Sequence, residues 1–304
     1  MSVLVVGSFI VDFVSRTERA PKQGETVVGL SFDMFFGGKG ANQAIAAKRL
    51  GSEVTMVGCV GNDVFGDNFI DIFKNEGISI DYIKRTNVKK TGCSLVTVET
   101  SGQNRICMVP GGNLDYTKEE LISLEKVIAQ ADVVVTQCEM KAEIVDCLAQ
   151  LCRRYNKKFI LNPAPARTFS KEVLSGIYAI TPNETELGVI VGRDLNTVDD
   201  FKEAGKQLLK MGVKNVIVTL GEKGCMWVSE KGVNCIPAYK VKPIDTVGAG
   251  DSFTGALAAM TDQGYEIEIA LKTANAVGAL SVQKAGAIPS MPYKSDVEAF
   301  MRNQ

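Results

Sequence analysis

The sequence contains no histidine among its 304 residues, and this absence restricts the available chemistry more than any other feature of the composition. A Ser-His or Cys-His catalytic pair and every histidine-liganded metal site are excluded. Any catalysis must therefore come from carboxylates, lysines, backbone amides and a bound cation.

An excess of positive charge is also absent, since 34 Lys and Arg residues face 35 Asp and Glu residues and the net charge is -1. This balance provides no basic field for nucleic acid or a membrane surface, so we expect neither partner. No run approaches the roughly 20 apolar residues that cross a bilayer. The opening segment MSVLVVG is typical of a strand and not of a secretion signal.

Cysteine pairs of the CxxC type are missing, although the chain has eight cysteines. Several of them lie in apolar runs, such as Cys59 in VTMVGCVG and Cys225 in GCMWV. Cysteines in such runs are usually buried and reduced, so we expect a cytoplasmic protein with free thiols.

Short β-rich runs alternate with helical patterns through most of the chain. Strands are predicted at Ser2–Phe9, Glu53–Val60, Asp132–Gln137, Lys158–Asn162, Tyr178–Thr181 and Asn215–Leu220. Helices are predicted at Gly40–Leu50, Asp67–Asn75, Lys141–Tyr155 and Asp199–Met211. This alternation predicts an α/β fold with a mainly parallel central sheet flanked by helices, as a single domain over residues 1–304.

Two stretches, approximately 13–36 and 91–109, interrupt that alternation. They alternate apolar and polar residues with a period of two, as in Ser94-Leu95-Val96-Thr97-Val98-Glu99-Thr100. This pattern is typical of antiparallel strands with one wet face. We therefore expect a small antiparallel β sheet beside the main body, acting as a lid or a subunit contact.

The strongest chemical signal is DTVGAGDSF at residues 245–253, in which a glycine-rich turn opens an apolar helix. Gly248 and Gly250 allow the backbone to approach a ligand closely, and the helix N-terminus supplies amides and a positive dipole end. Asp251 beside this anion site could deprotonate an alcohol aimed at a bound phosphate. The alternative is that Asp251 is only an N-cap.

A second glycine-rich segment, FGGKGANQ at residues 36–43, also precedes a helix. Lys39 and Asn42 offer a cation and an amide to a polyhydroxyl ligand, although a flexible strand–helix turn is the alternative. The segment is not a Walker A motif, because GxxxxGK[ST] occurs nowhere in the chain. GxGxxG after the first strand is missing too, which argues against a dinucleotide fold.

Three further segments follow predicted strands, where α/β proteins bind their ligands. The first segment, GSFIVD at residues 7–12, ends in Asp12. This carboxylate could accept hydrogen bonds from two sugar hydroxyls, or it could simply start a turn. Asn183 and Glu186 in TPNETE have capping-box spacing, which explains them without a ligand. The segment 219–224, TLGEKG, could be a simple turn.

Taken together, these motifs resemble the ribokinase branch of the pfkB-type sugar and nucleoside kinases. The resemblance runs almost end to end through GSFIVD, GGKGANQA, NPAPA, TPNETE, TLGEKG, DTVGAGDSF and KAGAIPSMP. It implies ATP-dependent phosphorylation of the 5-hydroxyl of D-ribose, with Mg²⁺ and an activating K⁺. It also implies a homodimer formed through the lid sheet.

The resemblance implies a role for each matching position. Asp251 matches the base, and the anion site comprises Gly248, Ala249 and Gly250. Sugar-binding positions are Ile10, Asp12, Gly38, Lys39, Asn42, Glu139 and Asp251. Nucleotide-binding positions are Asn183, Glu186, Thr219, Gly221, Glu222, Gly224, Gly250 and Asn275, with Glu186 also tied to magnesium. Potassium-loop positions are Asp245, Val247, Ser281, Lys284, Gly286 and Ser290.

Ile10 departs from the family pattern, because bacterial ribokinases often carry an asparagine there. An apolar residue at this place suits a sugar that lacks a hydroxyl, so a 2-deoxyribose kinase is one alternative function. Ile10 as ordinary strand core is the other interpretation of this residue. Kinases for fructose or a nucleoside remain alternatives, as does a non-catalytic sugar or nucleotide sensor, although Asp251 and its neighbouring glycines argue against a sensor.

Overall fold

The computed structural model describes residues 2–304. Its strands are β1 (Ser2–Val6), β2 (Ile10–Thr17), β3 (Ser31–Gly37), β4 (Glu53–Gly61), β5 (Ser79–Thr86), β6 (Gly92–Glu99), β7 (Asn104–Val109), β8 (Val133–Thr136), β9 (Lys158–Leu161), β10 (Ala179–Ile180), β11 (Asn215–Thr219), β12 (Cys225–Ser229) and β13 (Gly232–Ile236). Its α-helices are α1 (Lys39–Arg49), α2 (Val64–Asn75), α3 (Lys118–Ser123), α4 (Glu125–Gln130), α5 (Ala142–Arg154), α6 (Lys171–Leu174), α7 (Glu184–Val191), α8 (Val198–Lys210), α9 (Ala249–Asp262), α10 (Ile267–Ser281) and α11 (Lys294–Arg302). Short 3₁₀ turns lie at Gly111–Asp115, Gly221–Lys223 and Ile288–Ser290.

The large sheet has nine strands in the order β13-β12-β11-β10-β9-β8-β1-β4-β5. All neighbouring pairs from β11 to β5 are parallel. The predicted mainly parallel sheet is thus confirmed. The edge hairpin of β12 and β13 is antiparallel and was not predicted, nor was the edge strand β5.

Alternate residues of β1 enter two separate apolar cores, one on each face of the large sheet. Val3 and Val5 pack with α1, α2, α9 and α10, whereas Leu4 and Val6 pack with α5, α7 and α8. Burial on both faces is why this strand is an unbroken apolar run and shows no alternation. None of the helices in residues 2–304 has the length and apolar character needed to cross a membrane.

The small sheet, which we call the lid sheet, has the order β3-β2-β6-β7. Its two hairpins, β2–β3 and β6–β7, are antiparallel as predicted, but β2 and β6 pair in parallel. The parallel pairing arises because β2 follows β1 and β6 follows β5, two strands that run in the same direction through the large sheet. Both therefore leave the main body in the same direction.

Candidate active site

Helices α1 and α9 lie against each other so closely that Gly255 has no room for a side chain. A Cβ atom on Gly255 would stand 2.6 Å from Ala46 Cβ and 2.6 Å from the Gln43 carbonyl oxygen. This close packing puts the polar first turn of α1 beside that of α9. The candidate site is built where these two helix beginnings meet the carboxyl end of β1.

Asp251 lies in the first turn of α9 and is only 6% exposed. Its Oδ2 accepts a 2.8 Å hydrogen bond from Asn42 Nδ2, and its Oδ1 accepts one of 3.0 Å from Gln43 Nε2. The N-cap residue of α9 is Gly248, and no side chain caps this helix. The interpretation of Asp251 as a simple N-cap is therefore wrong, and its carboxylate is held by α1 instead.

Gln43 belongs to a group of buried amides behind Asp251 that the sequence did not reveal. Gln137 donates a 2.7 Å hydrogen bond to Gln43 Oε1, and Gln43 Nε2 also donates to Asn162 Oδ1 at 3.1 Å. Gln43 and Asn162 stand within the motifs GGKGANQA and NPAPA, and Gln137 opens the segment QCE at residues 137–139. Gln137 and Asn162 directly follow the buried strands β8 and β9, and this position was a signal that could have identified these two residues.

Glu139 and Lys39 form the side of the site next to β1. Glu139 Oε2 accepts a hydrogen bond from the Ser8 hydroxyl and one of 2.9 Å from the Lys39 backbone nitrogen. Burial raises the pKa of Glu139, and the positive charge of Lys39 acts in the opposite direction. The negative charge of Asp251 raises the pKa of Lys39, so this lysine is a cation within the field of the site.

Asp12 and Ile10 reach the site from the lid sheet. The Ser94 hydroxyl donates to Asp12 Oδ1, and burial raises the pKa of Asp12 against the effect of this bond. Ile10 is 3% exposed and pairs with Gly37 on one side and Gly92 on the other. The structure thus brings the predicted residues of the lid sheet to the same site as Asp251.

Glycines provide close backbone approaches at both helix beginnings. Gly38 has φ +88° and a Cβ there would stand 2.6 Å from the Ile10 nitrogen, while Gly248 has φ +76° and a Cβ would meet Ala287 at 3.0 Å. Gly250 differs, because a Cβ on it would meet no atom within 4 Å. The first turn of α9 therefore has open space beside Gly250, where an anion could approach the helix N-terminus.

The predicted nucleotide residues lie at the ends of β10 and β11. Asn183 and Glu186 do form the capping box that their spacing predicted. The Glu186 nitrogen donates to Asn183 Oδ1 at 2.8 Å, and the Asn183 nitrogen donates to Glu186 Oε2 at 2.9 Å. Asn183 also forms a bridge to Thr219 at the end of β11. Burial raises the pKa of Glu186, although the Asn183 amide opposes this effect.

The turn after β11 contains three more of the predicted nucleotide residues. Gly221 faces open space and Glu222 is exposed, whereas a Cβ on Gly224 would stand 2.1 Å from the Ile236 carbonyl oxygen. Asn275 lies beneath the chain that leaves β13, because its Nδ2 donates to the carbonyl oxygens of Ile236 at 3.1 Å and Pro237 at 3.2 Å. Asn275 thus supports this part of the site from inside.

The predicted potassium residues lie on two loops that hydrogen bonds tie together. Asp245 Oδ2 accepts from the Gly286 nitrogen at 2.9 Å, and its Oδ1 accepts from the Val247 nitrogen at 3.0 Å. The hydroxyls of Ser281 and Ser290 donate to the carbonyl oxygens of Gly278 and Ala287, and Lys284 follows α10 on the same segment.

The loops that carry the predicted potassium residues offer few charged oxygen ligands. Within residues 2–304, no three His, Cys, Asp or Glu side chains cluster in a way that could hold a metal ion. Asp245 is the one carboxylate among the predicted potassium residues, and both of its oxygens accept backbone N–H groups of these loops.

Known proteins resemble this chain over almost its whole length. The family described as pfkB family carbohydrate kinase matches residues 1–294. Mouse ribokinase is 39% identical over 304 residues, which cover 97% of this chain and 93% of that protein. A deoxyribokinase of Salmonella typhi is 34% identical over 293 residues, or 96% of each chain.

Solved structures agree with this likeness. The crystal structure of a ribokinase from Thermotoga maritima matches with a TM-score of 0.91 and 34% identity, covering 99% of each chain. An Arabidopsis thaliana ribokinase, solved with ribose and ATP, matches with a TM-score of 0.91 and 31% identity, covering 99% of this chain and 98% of that one. The predicted family resemblance and fold class are thus confirmed.

Proposed function

The chain belongs to the pfkB family of carbohydrate kinases, and from this premise we propose that it transfers the γ-phosphoryl group of ATP to the 5-hydroxyl of D-ribose. The observation that carries the proposal is the position of Asp251, a buried carboxylate in the open first turn of α9. Relatives named ribokinase, including the Arabidopsis protein solved with ribose and ATP, support the choice of sugar and phosphate donor.

Asp251 would act as the general base of this reaction. As the sugar 5-hydroxyl approaches the γ-phosphorus, its proton passes to Asp251, the new O–P bond forms, and the bond to ADP breaks. A base positioned in this way typically contributes about 10²–10⁴-fold to the rate. Asp12, Asn42 and Glu139 surround the place where the sugar would lie and can bind its other hydroxyls.

The charge that develops on the phosphoryl oxygens would be balanced from two sides. The backbone amides of Gly248, Ala249 and Gly250 open α9, where the helix dipole favours an anion, and Lys39 adds a full positive charge. The ATP would lie over the ends of β10 and β11, beside Asn183, Thr219 and the turn Gly221–Lys223.

Two cations complete the proposed site. Glu186 would hold Mg²⁺, directly or through water, because this ion usually takes one or two carboxylates together with substrate phosphates. The loops of Asp245 and Gly286 would hold K⁺ and so fix the turn that precedes α9. Mg²⁺ bound there would neutralise part of the phosphate charge during transfer.

2-Deoxyribose is the second candidate sugar, and Ile10 is the observation that favours it. Ile10 offers only an apolar surface on the strand face that carries Asp12, and it is buried between Gly37 and Gly92. An apolar wall rejects an added hydroxyl weakly, by about 10²-fold at most. Acceptance of both sugars is therefore the expected behaviour.

The lid sheet is proposed to cover the sugar and to join two copies of the chain. Its strand register puts Ile106 and Met108 on the face that carries Asp12, and both side chains are exposed. Phe32 on the opposite face is 64% exposed. Exposed apolar residues in such number are typical of interaction surfaces. The eight free cysteines support a cytoplasmic location.

The decisive assay measures ADP release with ribose, 2-deoxyribose, fructose and adenosine, each with and without K⁺. We expect turnover with the two pentoses, activation by K⁺, and loss of at least about 10²-fold in kcat for Asp251→Asn. Calorimetry on this variant should still detect ribose and ATP binding. Binding of both ligands by the wild type without ADP release would instead identify a sensor, and preference for fructose or adenosine would reject the pentose assignment.

A further inference from the structure

The buried amide of Gln43 connects the proposed base to the ends of the central strands. Gln43 has no exposed surface, and its Nε2 donates both to Asp251 Oδ1 at 3.0 Å and to Asn162 Oδ1 at 3.1 Å. Its Oε1 accepts from Gln137 Nε2 at 2.7 Å. Each hydrogen-bonding group of this side chain therefore has a defined partner.

The orientation of the Gln43 amide follows from the residues behind it. Asn162 Nδ2 donates to the Thr181 carbonyl oxygen at 3.1 Å, which leaves Asn162 Oδ1 facing Gln43. The Asn162 oxygen thus requires the Gln43 nitrogen on its side, where this nitrogen also reaches Asp251. The Gln43 oxygen is then free to accept from Gln137 Nε2.

We propose that Gln43 is a positioning residue for the phosphoryl transfer, which holds Asp251 through Oδ1 so that Oδ2 receives the sugar proton. This inference rests on the proposed function. Oδ2 is the oxygen beside Asn42, on the side of the sugar-binding groups. When the sugar O–H bond breaks, its proton bonds to Oδ2, the sugar oxygen bonds to the γ-phosphorus, and ADP leaves with the electrons of the broken P–O bond.

Gln43 donates to a carboxylate that stands among like charges. Lys39 of α1 is the cation that interacts with Asp251, whereas Asp12 of β2, Glu139 after β8 and Glu186 of α7 are carboxylates that repel it. Hydrogen bonds donated to a carboxylate favour its charged form. Loss of the Gln43 donor should therefore make Asp251 accept a proton at higher pH.

The test compares Gln43→Met with wild type in the pH dependence of kcat. Met has a similar volume but no hydrogen-bond donor. Loss of a hydrogen bond donated to a charged group shifts the pKa of that group by roughly one to two units. We expect the acidic limb of the profile to move up by about that amount, with kcat largely restored at high pH and the ribose KM changed by less than about threefold. Gln263→Met is the matched control, because Gln263 follows the far end of α9.

A second measurement tests the effect of Gln43 on Asp251 without relying on turnover. In protein labelled with ¹³Cγ-aspartate, the Asp251 signal is identified by its loss in Asp251→Asn, and its titration midpoint should rise in Gln43→Met. Gln43→Glu, which keeps the acceptor for Gln137 but replaces the donor by a second carboxylate, should raise that midpoint further. This variant also serves if Gln43→Met fails to fold.

An unchanged Asp251 titration in the folded variants would overturn the role of Gln43, even if they lose stability. An unmoved acidic limb of kcat would do the same. If the wild type phosphorylates no sugar, the proposed function is wrong. The ¹³C titration would then still test whether the Gln43 hydrogen bond affects the protonation of Asp251.

Discussion

Asn42 Nδ2 donates a 2.8 Å hydrogen bond to Asp251 Oδ2, and this contact turns the amide oxygen of Asn42 away from the base. That oxygen is buried and has no hydrogen-bond partner within residues 2–304. It lies 3.4 Å from the point where a Cβ would stand on Gly37, and Asp12 Oδ2 lies at the same distance. Because a buried acceptor without a donor is costly, the Asn42 oxygen beside the Asp12 carboxylate favours a ligand rich in hydroxyls.

Ile10→Asn should increase the preference for ribose over 2-deoxyribose. The new amide could form a hydrogen bond with the 2-hydroxyl of ribose. Sites that hydrogen-bond a substrate hydroxyl reject the analogue lacking that hydroxyl by about 10⁴-fold or more. We expect the ratio of kcat/KM for the two sugars to rise by at least about 10-fold. Ile10→Val, which stays apolar, should leave the ratio unchanged. An equal ratio in Ile10→Asn and wild type would show that Ile10 is only strand core.

Gly250→Ala should reduce activity without reducing stability. A Cβ on Gly250 meets no protein atom within 4 Å, and alanine is favoured over glycine in a helix by about 0.5–1 kcal/mol. If the phosphoryl group occupies that open space, the methyl group would displace it and kcat should fall by about 10²-fold. Thermal unfolding and the ADP-release assay measure the two effects separately.

Gly255→Ala is the contrasting variant on the same helix. Its Cβ would stand 2.6 Å from Ala46 Cβ and from the Gln43 carbonyl oxygen, so α1 and α9 would have to separate. Overpacking of this kind typically costs about 1–3 kcal/mol. A stable but inactive Gly250→Ala beside an unstable Gly255→Ala supports the anion site, whereas full activity of Gly250→Ala contradicts it.

Glu139→Gln should change how stability depends on pH. Burial raises the pKa of Glu139 in the folded protein. At pH values between the pKa of this residue in the unfolded chain and its pKa in the folded protein, the folded protein therefore binds more protons than the unfolded chain. The free energy of unfolding therefore falls as pH rises through that interval and stays lower above it. In the variant this fall should be smaller, which urea unfolding at pH 4 to 8 measures. Exposed Glu230→Gln is the control, and parallel curves for Glu139→Gln and wild type would contradict the prediction.

Sequence reasoning succeeded where a local pattern determines the structure. The unbroken apolar run of β1 predicts a strand buried on both faces, and the glycines before Asp251 predict the beginning of α9. It failed where the role of a residue depends on distant partners. Gln43 meets Asp251 across 208 positions of sequence, and nothing near either residue specifies that contact. The parallel pairing of β2 with β6 was missed for the same reason.

Arg49 at the end of α1 illustrates a structural residue that the sequence did not reveal. Its side chain is mostly buried in an ion pair with Glu76, and it donates to the carbonyl oxygens of Ile288 at 2.9 Å and Met291 at 2.8 Å. The turn Ile288–Ser290 that it holds includes Ser290, one of the predicted potassium residues. Arg49 thus joins the helix of Asn42 to the proposed cation loop.

Arg49→Met should lower the free energy of unfolding by up to about 3–5 kcal/mol, because it leaves the mostly buried Glu76 carboxylate without its partner. Arg85→Met is the matched control, since Arg85 pairs with Asp67 at the surface, where such pairs contribute about 0–1 kcal/mol. Because the turn at Ile288–Ser290 also loses two hydrogen bonds, we expect Arg49→Met to need more K⁺ for half-maximal activity. Equal losses of stability in the two variants, with an unchanged K⁺ requirement, would mean that Arg49 does not hold this turn.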